Sequence, residues 1–91
     1  MLSEKGEIDM NNNTKFQWID NDTDVSEILK KCPKHIHKMI EEMEQADLED
    51  NVGVFYAVSD DFEVATKMLM LDDVISKKDW ETLCYKYSLP Y

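Results

Sequence analysis

The stretch Val52-Gly53-Val54-Phe55-Tyr56-Ala57-Val58 decides how this chain folds. Its composition favours a β-strand, because Val, Phe and Tyr suit a pleated, half-buried surface. Its spacing says otherwise. Leu48, Phe55, Val58, Phe62, Ala65 and Leu69 follow one another at steps of 7, 3, 4, 3 and 4 residues, the seam of an α-helix. A strand here would also need a partner, and only residues 16–19 offer one. The fold expected is therefore all-α, a small single-domain bundle of four or five short helices. The alternative is α+β, with a short hairpin or strand pair from 16–19 and 52–58.

Downstream, Asp60 with Glu63 three residues on resembles a capping box, which predicts a break near Ser59. The helix after it runs to about Leu71. Phe62, Val64, Ala65, Met68, Leu69 and Leu71 cover about half of its circumference at 100° per residue. One neighbour cannot bury that much, so this helix is expected to be central or to lie partly in an oligomer contact through Val64, Met68 and Leu71. A final helix is marked by Ser76 as N-cap, Asp79 at the third helical position, and Ile75 placed to staple onto Trp80. Trp80, Leu83, Cys84 and Tyr87 then form its apolar stripe.

Upstream, Asp20-Asn21-Asp22-Thr23-Asp24 is rich in capping side chains, and a short helix with Val25, Ile28 and Leu29 follows. Cys32-Pro33 ends it near Lys31, since the residue before proline avoids the α region. Pro33 suits the opening of a second helix, whose stripe is Ile36, Met39, Ile40, Met43 and Ala46. Phe16 and Trp18 are expected to bury their rings in the chain's own core. Residues 1–15 read as a flexible leader and 16–91 as one helical domain.

The chain has 91 residues, with 20 Asp plus Glu against 10 Lys and no Arg, for a formal net charge of −10. A 43% hydrophobic content is enough for a core. The length excludes a dinucleotide-binding sheet or a barrel enzyme. The charge argues against direct contact with nucleic acid or an anionic membrane, which demand clustered cations. Two cysteines, Cys32 and Cys84, make no disulfide framework, and no apolar run resembles a signal peptide or a membrane span. A cytoplasmic protein with reduced thiols is expected.

Chemistry finds little to stand on. Asp20, Asp22 and Asp24 open like a calcium loop, but Val25 replaces the turn glycine and Lys31 the bidentate glutamate. Cys32, His35 and His37 lie close in sequence, yet on a helix His35 and His37 point about 200° apart. No glycine loop, nucleophile elbow or cleft-bound acid–base pair is evident. No metal, cofactor or catalytic residue is therefore assigned.

The acidic stretch carries the functional expectation. Glu41, Glu42, Glu44, Asp47, Glu49, Asp50, Asp60, Asp61 and Glu63 fall between residues 41 and 63 without a single Lys. Such a field suits docking on another protein with a basic surface, in imitation of a nucleic-acid backbone. The composition is similar in kind, though in no motif, to the small acidic anti-restriction and anti-CRISPR proteins of phages and mobile elements. The expected function is a non-catalytic binding module, an inhibitor or adaptor for a nucleic-acid-binding partner. The alternative is a structural or regulatory homo-oligomer, such as a homodimer, held by the apolar face of 62–71.

Overall fold

A computed structural model describes residues 15–88, and the expected leader lies almost wholly outside them. Four helices follow in order: α1 (Ser26–Leu29), α2 (Lys34–Leu48), α3 (Val52–Leu71) and α4 (Lys77–Lys86). Among the described residues there is no strand. The chain is all-α, and 52–58 forms the first turns of α3.

The expected break near Ser59 does not occur. α3 runs without interruption for 20 residues, because its cap lies earlier in the chain. The Asn51 side chain accepts the Val54 N–H at 3.2 Å, fixing the start ahead of the valines. Tertiary packing then overrides their preference for a strand. Asp60 lies inside the helix and caps nothing, while the Ser59 hydroxyl donates to the Tyr87 carbonyl at 3.0 Å and ties α3 to the end of α4.

Two reversals make α2, α3 and α4 an antiparallel series with α3 in the middle. Both turns use an aspartate in the left-handed region, Asp50 at φ 58° and Asp73 at φ 62°. After α2 the Asn51 N–H donates back to the Ala46 carbonyl at 2.8 Å, and after α3 the Val74 N–H donates to the Leu69 carbonyl at 2.9 Å. These are Schellman closures, with Asp where glycine is usual. α4 opens on a complete capping box, Ser76 and Asp79 each binding the other's backbone N–H.

The core forms where the stripes meet. Ile36, Ile40, Met43 and Ala46 of α2, Phe55 and Phe62 of α3, Leu83 of α4 and the flanking Ile75 and Tyr87 are all buried. Phe62 meets the Tyr87 ring edge to face at 5.3 Å. Thr66, also buried, satisfies its hydroxyl on the Phe62 carbonyl one turn back.

The segment before α1, a run of bends, packs against this core. Trp18 packs edge-on against Phe55 at 5.1 Å, and Ile19 and Val25 are buried. Lys86, in the last turn of α4, donates to the carbonyls of Asp20 and Thr23 at 2.5 and 2.7 Å. The aromatic pair Phe16 and Trp18 thus belongs to the chain's own core rim, as the sequence predicts.

Candidate functional site

The acidic stretch folds into the C-terminal part of α2, the turn after it, and the first half of α3. Because these helices are neighbours, Glu42 and Glu49 of the α2 end come to face Val54 and Val58 of α3 across one groove, while Glu63 borders the groove toward α4. Glu41, Glu42, Glu49, Asp50, Asp60, Asp61 and Glu63 are exposed. Between the helices lies an open groove of about 330 Å³, walled by Glu42, Gln45, Ala46 and Glu49 on one side and Val54 and Val58 on the other. Its floor is apolar and its α2 rim acidic; Asp61 stands one turn beyond Val58.

Two of the nine acidic residues singled out from sequence do not belong to that surface. Asp47 is buried, 1% exposed. Its carboxylate accepts the backbone N–H groups of Gln17 and Trp18, each at 2.8 Å, and of Ile19 at 3.1 Å. Gln17 returns its side-chain amide to the Asp47 carbonyl at 3.0 Å and to the Asp50 carboxylate at 3.1 Å. Asp47 therefore anchors the segment before α1 and presents no charge to a partner. Glu44 is half-buried. Burial pushes its carboxyl above the ordinary range, with Lys86 pulling it part of the way back and Glu41 adding to the rise.

The burial of Asp47 had a trace in the sequence. It lies four residues after Met43, in phase with Ile36, Ile40 and Met43. A carboxylate on a buried stripe requires donors, and the chain supplies them from three consecutive peptide groups that no side-chain pattern reveals.

Comparison with protein-family models, with curated proteins and with solved structures returned no match.

Cys32 and His37 are engaged by the backbone, while His35 is exposed. The Cys32 thiol donates to the Ile28 carbonyl at 3.4 Å, and a His37 ring nitrogen meets the Leu29 carbonyl at 2.9 Å. Among the described residues no three His, Cys, Asp or Glu side chains gather closely enough to hold a metal ion. Asp20 and Asp24 close local turns: Thr23, with the Asp22 N–H, lowers the first carboxyl, and the hydroxyl and N–H of Ser26 lower the second.

A second groove, of about 350 Å³, separates α3 from α4 and is bordered by Glu63, Trp80 and Cys84. Burial raises the Cys84 thiol above its ordinary pKa, and the Glu63 carboxylate raises it further. Such a thiol is a poor nucleophile at neutral pH. No described helix is long and apolar enough to cross a membrane.

Among the described residues no element packs on the outer face of α3. Val64, Met68 and Leu71 are 61%, 53% and 60% exposed, so the described residues leave the apolar surplus noted in the sequence uncovered.

Proposed function

We propose that this chain is a non-catalytic binding module that docks its anionic α2/α3 side on a basic, nucleic-acid-binding protein, acting as an inhibitor or adaptor. The observation that carries this reading is that seven of the nine carboxylates between residues 41 and 63 are exposed with no lysine among them, Glu42 and Glu49 lining the α2/α3 groove and Asp61 one turn beyond Val58. Self-repulsion among them opposes folding, and an opposing basic surface would offset it.

The placement of charge on α2 supports the same reading. Lys34 and Lys38 stand in its first turns, the exposed Glu42 in its second half and Glu49 at its C-cap, with no acid in the first turn and no base in the last. This runs against the helix macrodipole, which favours the reverse by about 0.3–1 kcal/mol per charge. Helix stability alone does not account for such an order. The groove between Ala46, Val54 and Val58 adds an apolar seat. The matching element on a partner would be a lysine- or arginine-rich segment bearing one or two apolar side chains.

The reading is tested by affinity capture with the wild type and with a Glu42→Lys, Glu49→Lys, Asp61→Lys variant at low and at physiological salt. The expected captive is a nucleic-acid-binding protein, retained at low salt, lost with the variant, and displaced by added nucleic acid. A captive that nucleic acid does not displace, or that the variant retains, would remove the proposed mechanism.

A further inference from the structure

We propose that the outer face of α3 is a self-association surface, on which a second copy of this chain packs its own α3 in antiparallel register. The contact is centred on Val64 and shares only Asp60 with the acidic residues of 41–63. Val64, Met68 and Leu71 share one side of the helix, and each leaves more than half of its surface in water. Three large apolar side chains on the outside of a helix central to the bundle form a continuous patch, the type of surface that marks an interface.

The charges beside this strip identify the occupant. Asp60 lies one turn before Val64 and Lys67 nearly one turn after it, along the same edge of the face. Lys67 is the only lysine of α3, and among the described residues it makes no ion pair. Antiparallel pairing about a two-fold axis at Val64 sets Lys67 of each copy against Asp60 of the other, so the face is complementary to itself. The same register lays Leu71 over Ala57, a small residue that lets the helices approach.

Each copy carries a net charge of −10, so the long-range force between copies is repulsive. Salt screens that repulsion, and the dimer is expected to persist or strengthen as salt rises. Docking on a basic protein has the opposite salt dependence, which keeps the two proposals separable.

Sedimentation equilibrium of the full chain from about 10 μM to about 1 mM tests the surface. The wild type is expected to pass from monomer to dimer over that range. Val64→Glu and Leu71→Glu should each stay monomeric with unchanged helical circular dichroism, because both side chains already face water. Asp60→Lys or Lys67→Asp alone should weaken the dimer about tenfold by opposing like charges. Asp60→Lys with Lys67→Asp should restore it to within about threefold. A wild type still monomeric at the highest concentration would overturn the proposal, and so would a double variant no better than either single one.

Discussion

The Asp47 carboxylate accepts the Ile19 N–H at 3.1 Å across 28 residues of chain, and through that bond the sequence before α1 is fastened to the end of α2. With the Gln17 and Trp18 N–H groups on the same carboxylate, one buried acid organises three successive peptide units. Removing it leaves donors without partners, each worth about 1–3 kcal/mol when buried. Asp47→Ala is expected to destabilise the fold by about 3 kcal/mol, with red-shifted tryptophan fluorescence as Trp18 leaves Phe55. Glu42→Ala, from the same acidic run, should change stability by no more than about 0.5 kcal/mol. Equal denaturation midpoints for the two variants would refute the anchoring role.

Asp73 occupies a left-handed position at φ 62°, where a side chain is strained and glycine is not. Asp73→Gly is expected to stabilise the protein by about 0.5–1 kcal/mol in urea denaturation, with the Val74-to-Leu69 closure retained. Asp50, in the same conformation after α2, also accepts from Gln17 and would give a smaller gain.

The base of the bundle should make the protein sensitive to alkali. Burial raises the Tyr87 hydroxyl well above its ordinary pKa, and the Glu44 carboxylate adds to the rise. The folded state thus holds this proton more tightly than the unfolded chain does. Its contribution to stability is fully present below about pH 10 and is lost as pH rises toward the folded value. Tyr87→Phe is expected to flatten the fall in melting temperature above that pH while leaving the neutral-pH value nearly unchanged. A wild-type slope that survives the substitution would place the alkaline sensitivity elsewhere.

Asp79 is one of the lowered carboxyls, with Asp20 and Asp24, that act on the acid side. Lys31 holds its carboxyl below the ordinary range, helped by the Ser76 N–H. Stability from this group is present above about pH 4 and is lost as pH falls through the lowered folded value. Asp79→Asn should therefore reduce stability at pH 7 and make the remaining acid dependence shallower, as read by circular dichroism across an acid titration. An unchanged acid slope would count against it.

Much of this architecture was legible from side chains alone. The α4 cap is spelled out by Ser76 and Asp79, and the α2 stripe by Ile36, Ile40, Met43 and Ala46. The seam through Phe55 and Phe62 outweighed the valines around it because period is set by burial and strand propensity is weak. The Ser59 break was misplaced since Asp60 and Glu63 satisfy a capping pattern equally well on a solvated helix face. Asn51, preceding Val52 by one residue, holds the actual cap. The acidic side was legible as a run, while its membership was not. Sequence counts charges without their phase, so Asp47 and Glu44 were grouped with residues they adjoin only along the chain.

The most direct test of the central claim is the association rate of the captured basic partner with wild type and with the Glu42→Lys, Glu49→Lys, Asp61→Lys variant, followed by stopped flow across ionic strength. If the α2/α3 side docks through its charge, the wild-type rate falls steeply from low to physiological salt. The variant should then be slow at both, with its helical circular dichroism intact. Equal rates for the two proteins, unmoved by salt, would contradict the account and reduce the acidic side to a solvated surface.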